Sequence, residues 1–394
     1  MDPAHKTSWI CDHARAVGFD LCGVAPVHGA PGNFAELQHL PEWLERGHAG
    51  EMNYLRDPRR ADPALVMDAA RSLIVVALNY NSAQPYSTEA ASSPGADSPR
   101  GWISRYAWGD DYHEILWKKL NALVASMHAE WPEPFDARAY VDTGPIIERV
   151  AAKYAGLGWL AKNTCLINQD LGSWLFLGVI ITTLELAPSL EPHESPAPDR
   201  CGTCTLCLDS CPTQAFTAPY VLDASRCISY LTIELRTAIP EDLRPALGNA
   251  VIGCDICQDV CPWNRKSPFT PLAPFQPRAA NGKANSRAVS AENESPTEKV
   301  IDGTEPGATL FAPELEWLAS LTQQQFSATF RNSPVKRAKW RGLVRNACVA
   351  LGNSNSSRDS SSYARIITLL ENLVASTDEL IAEHAQWALE RLRN

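Results

Sequence analysis

Eight of the twelve cysteines fit the ligand set of two iron–sulfur clusters. Residues 201–212 read C-G-T-C-T-L-C-L-D-S-C-P, and a shorter copy at 254–262 supplies three more cysteines before a proline. In a C-x2-C-x2-C-x3-C-P run, three close cysteines bind one [4Fe–4S] cluster and the fourth binds the other. The shorter copy lacks its first ligand because Val251 stands there, and Cys227 can fill that position. The spacing therefore predicts an electron-transfer protein or a redox enzyme.

If the last cysteine of each run binds the cluster of the other run, all eight cysteines are assigned as ligands. The predicted ligands of the first cluster are Cys201, Cys204, Cys207 and Cys261, and those of the second are Cys211, Cys227, Cys254 and Cys257. Zinc sites also use paired C-x2-C motifs, but they need neither the third close cysteine nor the proline. A disulfide framework is disfavoured because the chain is long and begins with a polar segment rather than a secretory signal. The remaining cysteines are predicted to be packed free thiols of a reducing cytoplasm: Cys11, Cys22, Cys165 and Cys348.

A carboxylate after a predicted strand is the candidate acid. Asp142 follows the strand at 137–141 and precedes a Thr-Gly-Pro turn. A carboxylate at the carboxyl end of a strand faces the crevice in which α/β folds bind ligands, and burial there can raise its pKa for acid catalysis. The alternative is that Asp142 only caps a helix that begins near Pro145. The spacing leaves both interpretations open.

Two further motifs are incomplete. The sequence G-L-G-W-L-A at 156–161 matches a dinucleotide fingerprint, but it follows a helical segment, and no acidic residue ends a strand about twenty residues later. We interpret it as a turn that follows a helix. The sequence D-Y-H at 111–113 begins the D-x-H-x-x-G motif that ligates the cobalt of cobalamin through histidine, but Leu116 replaces the glycine. If cobalamin binds, the sequence offers no evident histidine ligand.

The apolar pattern predicts the elements that position these groups. Residues 1–195 alternate helix-like and strand-like segments, which predicts an α/β domain. The run S-L-I-V-V-A-L-N at 72–79 is typical of a buried strand. The other predicted segments of this domain are strands at 19–24, 137–141 and 174–184, and helices at 9–17 and 111–129.

The rest of the chain divides into three predicted parts. A Pro-rich bridge at 187–198 leads into a ferredoxin-like cluster domain at 196–275. Residues 277–309 contain almost no large apolar side chains and are predicted to be a disordered loop. Residues 310–394 are predicted to form a helical, HEAT-like domain. Its predicted helices are 334–351, 363–375 and 378–393.

The length and charge of the chain limit the classes of protein to which it can belong. A chain of 394 residues suffices for two or three domains. The formal net charge of −10 disfavours a uniformly basic nucleic-acid-binding protein, although a local basic face remains compatible with it. The longest apolar run, at 174–187, is too short to cross a bilayer. We expect a cytoplasmic monomer without membrane association.

Several segments together resemble the epoxyqueuosine reductase family. The N-terminal half contains I-S-R-Y-A-W-G-D-D-Y-H, V-D-T-G-P-I-I-E-R and G-L-G-W-L-A-K-N-T-C-L-I. The cysteine region contains C-G-T-C-T-L-C-L-D-S-C-P-T-Q-A, C-I-S-Y-L-T-I-E and G-C-D-I-C-Q-D-V-C-P-W-N, and R-N-A-C-V-A-L-G-N follows near the C terminus. The resemblance covers nearly the whole chain.

The resemblance implies an α/β cobalamin-binding domain with a ferredoxin-like insert carrying two [4Fe–4S] clusters and a helical tail. Such enzymes reduce the epoxide of epoxyqueuosine at the tRNA wobble position to queuosine, with electrons from a flavodoxin or ferredoxin. The resemblance further implies that no histidine ligates the cobalt of cobalamin and that Asp142 is the proton donor. The residues implied to line the corrinoid, together with Asp142, are Arg105, Lys162, Asn163, Thr164, Tyr230 and Thr232.

A basic stripe near the C terminus is the candidate tRNA contact. Arg337, Arg341 and Arg345 recur at i, i+4 and i+8, which places them on one face of a helix. By itself the pattern favours a solvated helix face. With the resemblance, it becomes the candidate for phosphate contacts.

Two other functions stay open. One is a reductive dehalogenase-like cobalamin enzyme, although such relatives usually carry a twin-Arg signal that M-D-P-A-H-K-T does not show. The other is a ferredoxin-like electron carrier, which rarely needs an additional α/β domain of nearly 200 residues.

Overall fold

The structure is a computed structural model that describes residues 2–27, 34–90, 98–190, 196–280, 309–354 and 356–394. Most of the loop predicted at 277–309 lies outside the described residues, as does part of the bridge at 187–198. Within the described ranges, no helix combines the length and the apolar character needed to cross a membrane.

The described residues form helices and strands of widely different length. The α-helices are α1 (Pro3–Ala16), α2 (Leu40–Glu45), α3 (Ser87–Ala90), α4 (Tyr112–Glu130), α5 (Glu148–Tyr154), α6 (Leu206–Asp209), α7 (Ile228–Ile233), α8 (Ile256–Asp259), α9 (Leu315–Ser320), α10 (Gln323–Thr329), α11 (Lys339–Gly352), α12 (Ser361–Val374) and α13 (Glu379–Arg393). The β-strands are β1 (Leu21–Pro26), β2 (Ser72–Asn79), β3 (Trp102–Ile103), β4 (Ala137–Tyr140), β5 (Trp159–Leu160), β6 (Leu166–Ile167), β7 (Leu175–Thr182), β8 (Phe216–Ala218), β9 (Val221–Leu222) and β10 (Ala250–Ile252). The predicted strand at 72–79 is confirmed with the same bounds, and the last two predicted helices are confirmed within two residues.

The chain divides into two units, and neither is continuous in sequence. Unit 1 contains Met1–Asn81, Tyr112–Ser225 and Ile256–Pro271. Unit 2 contains Ser82–Asp111, Arg226–Asp255 and Leu272–Asn394. The chain thus leaves and re-enters each unit, whereas the sequence predicts consecutive domains. The functional division into those domains stays a prediction.

Unit 1 is built on a four-stranded sheet in the order β1-β2-β7-β4. Every neighbouring pair is antiparallel, with Val75 of β2 opposite Val179 of β7, and Tyr140 of β4 opposite that same residue. The crevice argument for Asp142 therefore does not apply, because that rule holds for open, mostly parallel sheets. The predicted mixed α/β class is confirmed, while the position of Asp142 needs another explanation.

Helices cover both faces of this sheet. On one face, Leu73 and Val75 of β2 share a buried cluster with Val150 of α5. On the other, Gly178 of β7 lies so close to Leu120 of α4 that a Cβ at 178 would meet it at 3.0 Å. This double coverage buries every residue of β2 and explains why its sequence is apolar without alternation.

Unit 2 is mainly helical, and its core joins the C-terminal helices to the segment around β3. Trp102 and Trp108 pack edge to face with ring centroids 5.5 Å apart. Both lie in one buried cluster with Leu343 of α11 and Ile381 of α13. The predicted helical C-terminal region is confirmed, and its HEAT-like character stays a prediction.

The single helix predicted at 334–351 is wrong in its first part. Residues Pro334–Ala338 form a 3-10 helix, and α11 begins at Lys339, whose φ is +63°. A left-handed residue interrupts the right-handed helical path. Arg337 and Arg341 therefore do not lie on one continuous helix, and the i, i+4 spacing does not place them on one face.

Candidate active site and cluster loops

Asp142 lies at a sharp turn between β4 and α5. Its φ is +54°, in the left-handed region that Asp and Asn tolerate better than most residues. The side chain is 68% exposed, and its Oδ2 accepts a 2.9 Å hydrogen bond from the hydroxyl of Tyr112. The Nε2 of His113 lies 3.7 Å from the same oxygen. These three side chains form a group that can hold and transfer a proton.

The capping alternative for Asp142 is wrong. Helix α5 begins at Glu148 with Ile147 as its N-cap, and no side chain of a described residue caps it. Aromatic stacking, rather than helix capping, organises this turn. The ring of Tyr112 stacks on Phe176 of β7, with centroids 4.2 Å apart and planes 5° from parallel. This stacking fixes the direction of the Tyr112 hydroxyl toward Asp142.

A second carboxyl group, to which the sequence analysis assigned no role, interacts with Asp142. Burial, followed by the negative charge of Asp142, raises the pKa of Glu148 to about 7, against smaller effects of Arg60 and Arg149. The Oε1 of Glu148 is buried and has no hydrogen-bond partner among the described residues. Sequence offered little signal here, because a glutamate in the first turn of a helix is common on protein surfaces.

Replacing Glu148 by glutamine should change how stability depends on pH. The folded chain keeps this proton up to a pKa of about 7, whereas the unfolded chain releases it near the ordinary value of 4.5. The free energy of unfolding therefore falls as pH rises across this window, by about 3 kcal/mol in total at ~1.4 kcal/mol per pKa unit. In E148Q this contribution should vanish.

Urea unfolding at pH 5 and pH 8 measures this difference between wild type and E148Q. The exposed Glu130 at the end of α4 provides a matched control, and E130Q should keep the wild-type pH dependence. An unchanged pH dependence in E148Q would show that Glu148 titrates like a surface glutamate.

Unit 1 contains all four predicted ligands of the first cluster. Burial, then Cys201 and Cys204, raise the pKa of the Cys207 thiol to about 11. Burial, Cys201 and Cys207 likewise raise the pKa of Cys261 to about 11. Thiolates this close repel one another, and the iron of a cluster would compensate their charge. Ligation of one cluster by these four cysteines stays a prediction.

The predicted ligands of the second cluster come from both units. Cys211 and Cys257 belong to unit 1, and Cys227 and Cys254 belong to unit 2. All four are half-buried, and Cys227 is the residue that precedes α7. Their ligation of one cluster stays a prediction.

Two predicted corrinoid residues, Lys162 and Asn163, donate hydrogen bonds to the backbone of the cysteine segments. The buried ammonium group of Lys162 donates to the carbonyl of Gly202 at 2.6 Å. The side-chain amide of Asn163 donates to the carbonyl of Cys257 at 3.1 Å. The next residue, Thr164, has a left-handed φ of +64° and is half-buried. Contacts of these three residues with a corrinoid stay predictions.

Apart from Asp142, the other predicted corrinoid residues belong to unit 2 and are buried. Arg105 is 1% exposed, and its guanidinium donates to the carbonyls of Ser82 at 2.7 Å and Gln84 at 3.0 Å. Tyr230 and Thr232 are buried residues of α7. The side chains of Arg105 and Thr232 hydrogen-bond to backbone groups of unit 2, and the part of all three residues in binding a corrinoid stays a prediction.

Arg345 is a structural residue of unit 2. It is 1% exposed, and its guanidinium donates to the carbonyls of Leu231 at 2.6 Å and Leu235 at 3.0 Å. The prediction that Arg345 belongs to an exposed basic face is therefore wrong. Its donors satisfy the carbonyl groups at the end of α7, where a helix leaves its last carbonyls without internal partners.

The two remaining arginines of the predicted stripe are exposed. The side chain of Arg337 is 53% exposed and pairs with Glu234, and that of Arg341 is 55% exposed and pairs with Asp378. Exposed pairs of this kind contribute little to stability. Both guanidinium groups therefore remain accessible to a stronger anionic partner, and their role toward tRNA stays a prediction.

Two family models match parts of the chain. Residues 200–264 match the 4Fe-4S double cluster binding domain, which contains all eight predicted ligands. Residues 60–143 match the epoxyqueuosine reductase QueG model, which ends just after Asp142.

Solved structures of epoxyqueuosine reductases have the same fold. One contains an epoxyqueuosine-modified tRNA-Tyr stem loop and is 26% identical, with a TM-score of 0.79 over 99% of this chain and 91% of that one. Another, from Bacillus subtilis, has its aspartate-bearing catalytic loop swung out of the active site. It is 25% identical, with a TM-score of 0.73 over 98% of this chain and 99% of that one.

Curated relatives match over nearly their full length. The epoxyqueuosine reductase of Gloeobacter violaceus is 40% identical over 90% of this chain and 98% of its own. That of Pseudomonas aeruginosa is 36% identical over 99% of this chain and 95% of its own. With this identity along almost the entire sequence, the chain belongs to the epoxyqueuosine reductase family of oxidoreductases.

Proposed function

We propose that the chain reduces the epoxide of epoxyqueuosine, at the wobble position of tRNA, to the alkene of queuosine. The reaction consumes two electrons and two protons and releases the epoxide oxygen as water. The observation that carries the proposal is the Asp142 group: an exposed carboxylate held against Tyr112 and His113 in the unit that also gathers the first set of thiols. Unit 1 thus combines a proton donor with a predicted electron carrier.

Asp142 is the proposed acid that protonates the departing oxygen. Its left-handed turn and the hydroxyl of Tyr112 hold the carboxyl group at the surface of unit 1, where a nucleoside can reach it. Protonation of a leaving oxygen by a positioned acid contributes about 10²–10⁴-fold to a rate. The Bacillus subtilis relative, whose aspartate-bearing catalytic loop is swung out of the active site, supports the assignment of this role to an aspartate on a turn.

Cobalamin is the proposed cofactor, and when bound it supplies a strongly reducing cobalt centre that no side chain can match. The residues proposed to line it are Arg105, Asp142, Lys162, Asn163, Thr164, Tyr230 and Thr232. The imidazole of His113 faces Asp142, which supports the proposal that no histidine of the broken D-x-H motif ligates cobalt.

The proposed partners are the modified tRNA and an external one-electron donor such as a flavodoxin or ferredoxin. The target base must leave the anticodon stack to reach the acid, as in other enzymes that act on a base. The proposed [4Fe–4S] clusters are sensitive to oxygen, which fits a reducing cytoplasm. We propose that one chain is sufficient for activity.

Anaerobic turnover with epoxyqueuosine-containing tRNA tests this function. Reconstituted protein with cobalamin and a chemical reductant should convert epoxyqueuosine to queuosine, detected by mass spectrometry of the digested tRNA. A halogenated phenol offered under the same conditions tests the dehalogenase alternative. Turnover of the phenol but not of the tRNA would replace the proposal, and turnover of neither would favour the electron carrier.

Removing the charges of Arg337 and Arg341 should weaken tRNA binding. The double variant R337Q/R341Q keeps polar side chains opposite Glu234 and Asp378 but removes two cations. If both contact phosphates, the slope of log affinity against log salt should flatten by about two. Filter binding or anisotropy across a salt series measures it.

A matched control removes two other ion-paired cations from unit 2. Arg365 pairs with Glu316 and Arg393 pairs with Glu371, and both are about half exposed. R365Q/R393Q should keep the wild-type salt slope. Equal slopes in both double variants and the wild type would show that tRNA binds elsewhere.

A further inference from the structure

The ammonium group of Lys162 is buried against the loop that carries the first three cysteines. Lys162 is 8% exposed, and its Nζ donates to the carbonyls of Gly202 at 2.6 Å and Cys204 at 3.0 Å. Its own backbone N–H donates to the Cys201 thiol. Lys162 thus contacts this loop through its ammonium group and contacts the sulfur of Cys201, a predicted ligand, through its backbone N–H.

A carboxylate holds the same loop from its other end. The Oδ1 of Asp199 accepts the backbone N–H of Cys201 at 2.7 Å, and its Oδ2 accepts the hydroxyl of Tyr220. The backbone N–H of Tyr220 in turn donates to the carbonyl of Lys162 at 3.0 Å. Lys162 and Asp199 therefore place opposite charges beside one cysteine loop, connected through Tyr220. All of these residues belong to unit 1.

The positions of these charges matter because reduction adds one electron to a cluster. The reduction potential of an iron–sulfur cluster depends on nearby charge, on hydrogen bonds to its sulfurs and on solvent exposure. A buried cation stabilises the reduced, more negative state, and its electrostatic effect is weakly screened because little water surrounds it. An exposed anion acts in the opposite direction and more weakly.

We infer that Lys162 sets the potential of the first cluster, with Asp199 as its counter-charge. Lys162 is then a positioning residue of the electron path rather than only a corrinoid contact. The inference rests on the proposed cluster ligands, but not on cobalamin, tRNA or epoxide reduction. The lysine raises the potential of the cluster, which favours its reduction by the external donor.

Redox titration of reconstituted protein, followed by electron paramagnetic resonance with dithionite as reductant, tests the inference. No cobalamin or tRNA is added, so the result is separate from turnover. K162M and K162Q remove the charge, and both should lower the midpoint potential of the first cluster. K162R keeps the charge and should stay closer to the wild type than either. D199N removes the anion and should raise the potential.

The second cluster, measured in the same titrations, is the internal reference, and it should shift less than the first in every variant. Equal potentials in wild type, K162M and K162Q would overturn the inference, as would shifts of the same sign for K162M and D199N. Iron analysis would show whether both neutral lysine variants lose the first cluster. In that case the potential of the first cluster in D199N tests the inference. An upward shift then supports the charge balance, and no shift rejects it.

Discussion

Replacing Asp142 by asparagine should remove most of the turnover and leave the fold intact. The amide cannot donate the proton that the departing oxygen needs, and loss of a general acid costs about 10²–10⁴-fold in rate. Asparagine is the right substitution because it tolerates the φ of +54° as well as aspartate does, whereas alanine would add backbone strain. Single-turnover conversion of epoxyqueuosine in tRNA measures the effect.

Thermal unfolding and iron content separate a chemical role of Asp142 from a structural one. No helix cap is lost in D142N, so the melting temperature and the iron content should match the wild type. The control D12N changes an exposed aspartate of α1 and should retain full turnover. Normal turnover with a lower melting temperature in D142N would mean that the residue only supports the turn.

Replacing Cys227 by alanine should remove one of the two clusters. The wild type should hold about eight irons per chain in two cubanes, and the variant about four. Cys227 is not a predicted ligand of the first cluster, so the electron paramagnetic resonance signal of that cluster should persist. Iron and sulfide analysis with electron paramagnetic resonance of the reduced protein measures both quantities.

Cys11 provides the matched control for this experiment. It is half-buried like Cys227, but it lies on α1, outside both cysteine runs. C11A should retain about eight irons. Full iron content in C227A would show that another residue completes the second site, whereas loss of all iron would show that the two clusters assemble only together.

The features that the sequence predicted well are those encoded by neighbouring residues. The run at 72–79 is apolar on both faces, and only a doubly covered strand accommodates that pattern. The turn at 156–161 was expected to follow a helix, and Gly156, with a φ of +80°, does follow α5 and precede β5. The cysteine spacing predicted a domain with two [4Fe–4S] clusters, and residues 200–264 match the model of such a domain, while the ligands of each cluster stay a prediction.

The features that the sequence did not predict depend on residues distant in the chain. The burial of Arg345 follows from the carbonyl groups of α7, more than a hundred residues earlier. Strand direction in the sheet follows from pairing of β2 with β7, which local pattern does not encode. The raised pKa of Glu148 follows from its burial and from Asp142, and neither is visible in helical periodicity.

The interleaving of the two units has a consequence for how the chain folds during synthesis. Ser82–Asp111 belongs to unit 2, but the next part of that unit begins only at Arg226. At usual ribosomal speeds the delay before those partners emerge is on the order of ten seconds, and α11 and α13 come later still. Until then Trp102 and Trp108 have no core to enter. We therefore expect the nascent chain to expose these two apolar side chains for that time, as a segment that ribosome-associated chaperones could bind.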